Sequence, residues 1–335
     1  MALFRTLSEK DLTEILGAFG IDGYRGHSAI AVGTINTNIR VETVAGPLFL
    51  RINEGKSRQD VEREAAIVLH VAALGVPTPA PLSTPAGVPF AEWRGQLVSL
   101  FPWLPGRTLF RSTLSPAHAQ AAGRALAALH LAGGDFPDHR PGRYEPDEID
   151  RRMAGIPAAG DPSLALALAL APAPALAAAV AEVGSELAQL RNQRRADLPL
   201  GLIHGDLFID NVLYDGDRLV ALLDFEQASW GKLAYDLAVT TLAFGFGVDD
   251  FRPDAVAALF AGYTSLRQPT AEERTGFAAE LRFAACRFTV TRITDVYLKR
   301  SEGAAPGKDY RRYLTRLHKL RERLANPSDQ LLSLP

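Results

Sequence analysis

The stretch Leu202-Ile203-His204-Gly205-Asp206-Leu207-Phe208-Ile209-Asp210-Asn211-Val212-Leu213-Tyr214 decides how this chain is read. Apolar runs flank a polar loop in which Asp206 and Asn211 stand five residues apart. Thirteen residues past Asn211, the apolar run 219–223 ends in Asp224-Phe225. Between them, Asp215-Gly216-Asp217-Arg218 predicts a hairpin turn that returns the chain and brings Asp224 back to the loop. Phosphoryl transfer needs a carboxylate to orient or accept the proton of the attacking hydroxyl, and oxygen ligands to hold Mg²⁺ against the phosphates. Asp206, Asn211 and Asp224 are those residue types. Any one of them alone also fits a turn acid or a loop cap. All three in this order, with apolar strands between, point to a phosphoryl-transfer centre. His204 is expected to brace the loop through hydrogen bonds.

Working outward, the chain changes character near residue 102. Before it, the β-like runs 29–32, 39–43 and 48–52 are joined by segments bearing Gly and Asn, and predict antiparallel hairpins. A helix over 8–19 capped by Ser8 precedes them, and 60–74 is an amphipathic helix ending at Gly75. Residues 88–93 and 96–101 predict two further strands, and 101–106, with Pro102 and Pro105, a stiff connector. Beyond it helical periodicity dominates: 116–131, an alanine-rich pair around 164–183 broken by Pro172 and Pro174, 254–265, 271–298 and 309–325. The expectation is an α+β chain in two lobes. Residues 1–102 form an antiparallel sheet with one paired helix that binds nucleotide. Residues 103–335 form a mostly helical lobe with the catalytic loop, the metal site and the acceptor-binding helices.

The bulk numbers exclude other classes. The 335 residues carry a formal net charge of −2, which gives no field to attract a nucleic acid. The single cysteine, Cys286, leaves no internal disulfide and fits a reducing compartment. No signal-peptide pattern opens the chain, and the prolines break the one stretch of membrane-span length, so a cytoplasmic protein without a membrane segment is expected. The histidines, among them His27, His70, His118, His130, His139 and His204, are scattered instead of clustered as a metal-hydrolase site requires. Gly55-Lys56-Ser57 has the ending of a P-loop, but Leu50 occupies the position of its first glycine. No G-x-S-x-G elbow is present.

The pattern H-G-D-x-x-x-x-N, an apolar strand and D-F resembles the aminoglycoside phosphotransferase and choline kinase superfamily, which has a two-lobed protein-kinase-like fold. The likeness runs from about residue 30 to 295 and includes Ala234-Tyr235-Asp236-Leu237-Ala238, where Asp236 corresponds to a mainly structural residue. It implies ATP and Mg²⁺ as cofactors, Asp206 as catalytic base, and Asn211 and Asp224 as metal ligands. It also implies that Glu64 pairs with a strand cation, here Arg51 where the superfamily usually has Lys. The loop 33–38, with Gly33, Asn36 and Asn38, would lie over the nucleotide phosphates. Within the superfamily the chain is most similar to bacterial homoserine kinases, on Asn36-Thr37-Asn38, residues 129–136, the catalytic loop, residues 287–295 and the basic terminal helix. A zwitterionic amino-acid alcohol needs a cation and an anion, and Glu226, Arg287, Arg292 and Asp295 are the candidates; Arg292 and Asp295 also fit a structural ion-pair network. Aminoglycosides, choline-like or other amino alcohols remain alternative acceptors. A nucleotide-binding pseudokinase is the alternative outside enzymes, with Arg51 in place of Lys as its one supporting feature. The sequence leaves the oligomeric state open.

Overall fold

The computed structural model describes residues 7–30, 36–157, 173–298 and 309–335. Residues 31–32 of the expected first strand, 33–35 of the 33–38 loop with Gly33, residues 164–172 of the alanine-rich pair and Lys308 lie outside them. The chain divides into two compact units, residues 1–107 with 212–226, and residues 108–211 with 227–335. The first break falls five residues past the expected one. The expected continuous division misses that the 212–226 hairpin belongs with the sheet unit.

In the first unit, helix α1 (Glu9–Ala18) starts at a reciprocal cap, in which Ser8 Oγ accepts from Asp11 N–H and Asp11 Oδ2 accepts from Ser8 N–H. Five antiparallel strands follow in the order β1-β2-β3-β5-β4: β1 (Tyr24–Ala29), β2 (Thr37–Thr43), β3 (Gly46–Ile52), β4 (Ala91–Trp93) and β5 (Gln96–Pro102). Of the first strand expected over 29–32, only 29 and 30 are described, and the strand begins earlier than expected. The strand runs Tyr24–Ala29, is largely polar and exposed, and is placed by its pairing with Ile39–Thr43 instead of by an apolar run. Leu12, Ile15 and Leu16 of α1 bury against Ile39, Val41, Leu50, Val98 and Leu100, and full burial of each such side chain stabilises by about 1.5–3 kcal/mol. Helix α2 (Arg58–Ala73) is capped by Ser57 and ends at Gly75, whose φ of +86° suits glycine. The hairpin β7 (Val212–Asp215) and β8 (Arg218–Leu222) pairs Val212 with Leu222 around Gly216.

The second unit is helical, with one short two-stranded ladder of β6 (Leu200–Ile203) and β9 (Ser229–Lys232). Its helices are α3 (Pro116–Ala132), α4 (Pro146–Ala154), α5 (Ala173–Gln193), α6 (Leu233–Phe244), α7 (Pro253–Thr264), α8 (Ala271–Arg292) and α9 (Arg311–Leu324). A π turn, Ile293–Tyr297, follows α8, so the single helix expected over 271–298 changes geometry at its end. Helices α3 and α7 approach closely: a Cβ at Gly123 would overlap the Leu259 carbonyl, and one at Gly262 that of Gln120. Among the described residues no helix is long and apolar enough to cross a membrane.

Candidate active site

The loop after β6 belongs to the helical unit and is built around Asp236, buried in the first turn of α6. Asp236 Oδ2 accepts the His204 N–H at 2.7 Å, and Oδ1 accepts the Gly205 N–H at 2.8 Å. His204, expected to brace the loop, does so through its backbone. Gly205 sits at φ +75°, and a Cβ there would stand 2.9 Å from the Gln227 carbonyl, so only glycine fits. His130 Nε2 lies 3.1 Å from Asp236 Oδ2, and its Nδ1 lies 2.8 Å from the Tyr263 hydroxyl. Arg267 donates to that hydroxyl at 2.8 Å and pairs with Glu273 at 2.9 Å. The chain is satisfied when Arg267 donates to the Tyr263 hydroxyl, that hydroxyl to His130 Nδ1, and His130 Nε2–H to Asp236. Burial alone would raise the Asp236 carboxyl, but the hydrogen bonds from the His130 ring and the His204 N–H hold it below the usual carboxylate value.

This frame holds Asp206 and Asn211. Asn211 Nδ2 donates to the Asp206 carbonyl at 2.8 Å, which leaves Oδ1 as the atom suited to a cation. Asp206 Oδ1 stands 3.7 Å from Arg287 Nη1, outside hydrogen-bond reach. Arg287 is 3% exposed, and its guanidinium lies 4.0 Å from the Tyr144 ring centre and 3.8 Å from that of Phe288. Among the described residues its buried Nε has no hydrogen-bond partner. Of the other expected acceptor contacts, Arg292 donates to the Asp309 carbonyl at 3.0 Å and lies over the Tyr313 ring. Burial weakens its charge, with the nearby Arg312 and Arg287 acting in the same direction. Asp295 pairs with Arg152 at 2.8 Å. Both expected acceptor contacts thus have structural partners within the helical unit, Arg292 on Asp309 and Asp295 on Arg152.

The sheet unit carries the other expected residues. Asn38 and Arg51 are register partners on β2 and β3. Arg51 Nη1 meets Glu64 at 3.1 Å, as expected, but Lys56 meets the same carboxylate at 2.7 Å. Glu226, expected at the acceptor, instead gathers Asn36 Nδ2 at 2.5 Å, Lys56 Nζ at 2.9 Å and Arg51 Nη1 at 3.9 Å. Burial would lower the Arg51 value, but Glu64, Asp224 and Glu226 together raise it. Burial would raise that of Glu226, and Lys56 and Arg51 lower it. The sequence reading missed Lys56. Its signal was a lysine one residue ahead of the α2 cap, set aside because the P-loop pattern failed. Asp224 follows β8 at φ +64°, a left-handed backbone uncommon for a residue other than glycine.

An amide and a carboxylate oxygen, Asn211 and Asp224, are hard donors that fit Mg²⁺. Among the described residues no group of three His, Cys, Asp or Glu side chains is placed to hold a metal.

The family model described as the phosphotransferase enzyme family matches residues 27–277. The chain belongs to that phosphotransferase family. Over 95% of its length and of the relative's, this phosphotransferase is 35% identical to a homoserine kinase of Chelativorans sp.. It is 33% identical to one of Brucella anthropi, over 91% of this chain and 89% of that one. Among solved structures, its fold matches a spectinomycin phosphotransferase in complex with ADP and spectinomycin at TM-score 0.69, 17% identity and coverage of 98% and 97%. A choline/ethanolamine kinase family protein from Mesorhizobium loti matches at TM-score 0.61, 20% identity and 95% of both chains. At such identities the likeness to the solved structures concerns the fold, which is the two-lobed α+β architecture expected from the sequence.

Proposed function

We propose that this phosphotransferase is a cytoplasmic homoserine kinase, transferring the γ-phosphoryl group of ATP to the side-chain hydroxyl of L-homoserine. Arg287 carries the choice of acceptor. A guanidinium without a hydrogen bond at Nε, buried between two rings beside the Asp206 carboxylate, is costly to keep unless an anion completes it. Its planar fork suits a carboxylate, whose two oxygens accept two parallel N–H bonds. An amino acid with a hydroxyl two carbons from Cα brings both groups: the carboxylate to Arg287 and the hydroxyl to Asp206. A polycationic aminoglycoside would meet repulsion at the same residue. The homoserine kinases among its relatives support the same choice.

In this reading Asp206 accepts the hydroxyl proton as the oxygen attacks phosphorus. Asn211 and Asp224 each offer an oxygen ligand of the kind that would hold Mg²⁺, which when bound would neutralise charge on the phosphate oxygens. Glu64 orients the cations that face the nucleotide.

The test is Mg²⁺-dependent ADP release over a panel of homoserine, 3-amino-1-propanol, choline and an aminoglycoside, in the parent and in Arg287→Met. Homoserine should be preferred by at least about tenfold over the analogue lacking the carboxylate. Arg287→Met should raise its KM by about 30-fold, the worth of about 2 kcal/mol for a charge-assisted pair, with little change in the KM for ATP. Equal use of 3-amino-1-propanol, or a better rate with the polycation, would defeat the assignment.

A further inference from the structure

One oxygen of Glu226 lies in an environment that a phosphate oxygen would share. Its Oε1 takes the Asn36 amide N–H at 2.5 Å, the Lys56 ammonium at 2.9 Å and the charge of Arg51 at 3.9 Å. These donors come from the edge of β2, the turn before α2 and the C-terminal end of β3, so nothing local in the sequence forces them together. The side chains of Lys56, Arg51 and Glu226 are 13%, 13% and 16% exposed, so their charges meet with little screening by water. Two cations share two carboxylates, Glu64 and Glu226, and they differ in kind. Arg51 is held on β3 near the rings of Phe49 and Phe101. Lys56 reaches in on a flexible four-carbon stem from outside any strand or helix. A triphosphate carries more negative charge than a carboxylate and binds the same ammonium, so it competes directly for Lys56.

We propose that Asn36, Arg51 and Lys56 form an oxyanion pocket for a nucleotide phosphate, and that Glu226 fills it as an internal place-holder until nucleotide displaces it. Lys56, held by Glu64 on its other side at 2.7 Å, is then the principal mobile phosphate-binding cation, and Arg51 the fixed one. Glu226 thereby lowers nucleotide affinity while keeping the cations charged and oriented when the site lacks nucleotide. The inference rests on the proposed use of ATP but not on the acceptor.

Calorimetric titration of the full chain with AMP-PNP and Mg²⁺, without acceptor, tests it. Glu226→Gln keeps the shape and removes the charge, and should tighten AMP-PNP about three- to tenfold. Lys56→Met should weaken it about tenfold or more, with Lys56→Arg restoring most of the loss. Adenosine, which brings no phosphate, should bind the parent and Glu226→Gln within about twofold of each other. In the Lys56→Met background Glu226→Gln should change AMP-PNP affinity less than about twofold, because a place-holder acts through the cation it occupies. A general field effect of one negative charge would persist there and would overturn the proposal. So would weaker or unchanged AMP-PNP binding to Glu226→Gln in a variant whose melting temperature matches the parent's. A raised acceptor KM with unchanged nucleotide affinity would return Glu226 to the acceptor and also overturn it. Failure of AMP-PNP to bind the parent at all would instead remove the kinase reading on which the inference stands.

Discussion

Asp236→Asn would remove one oxygen from the centre of the frame that holds the catalytic loop. In the parent, Oδ2 accepts from the His204 N–H and faces His130 Nε2, while Oδ1 accepts from the Gly205 N–H. Asparagine keeps one acceptor oxygen and turns an NH₂ toward a donor, so one of the three bonds is lost with the oxygen at the Oδ2 position and two are lost with it at Oδ1. Each bond to a charged acceptor contributes about 1.5–3 kcal/mol, which places the loss of one or two of them at about 1.5–6 kcal/mol. That is a large part of the roughly 5–15 kcal/mol by which such domains are stable. Urea unfolding of parent and variant measures it. The pH dependence gives a second signature. Because the folded carboxyl titrates below its unfolded value, its contribution is fully present above about pH 4 and is lost as the pH falls through the folded value. The gap between parent and variant should therefore be widest near neutrality and close in acid. A gap under about 1 kcal/mol at pH 7, or one that widens in acid, would refute the argument.

Two further outcomes are expected. Asp206→Asn should lower kcat by about 10²–10⁴-fold with unfolding unchanged within about 1 kcal/mol, since general-base catalysis is worth that factor and the side chain is not part of the Asp236 frame; near-normal turnover in a coupled ADP assay would contradict the catalytic role. Gly123→Ala should destabilise by about 1–3 kcal/mol or more, because its new Cβ overlaps the Leu259 carbonyl where α3 meets α7, and equal melting temperatures for variant and parent would rule out that packing account.

Several elements were legible in the chain because their signals are local. Ser8 stands three residues ahead of an aspartate and ahead of an apolar repeat, and caps α1 as expected, whereas the same pattern at Ser57 was not read and α2 starts at Arg58 instead of 60. The turn at Gly216 between two apolar runs is a two-residue hairpin, with Val212 paired to Leu222. The strand β1 was misplaced because its residues are polar and its position is set by a partner some fifteen residues away. Helix α4 went unassigned because its nine residues bury only Ile149 and leave almost no periodic signal.

The order Asp206, Asn211, Asp224 with apolar strands between is a property of the sequence alone, since one short loop and one hairpin carry it. Side-chain partnership is not, because charge pairs between distant segments leave no spacing to read. Only the folded chain joins Lys56 to Glu226 and Asp295 to Arg152, and only there does His130, a residue among seven scattered histidines, become the brace of Asp236. Electrostatic pairing in a half-buried setting is decided by which charges the backbone delivers within a few ångströms, and tertiary packing makes that choice.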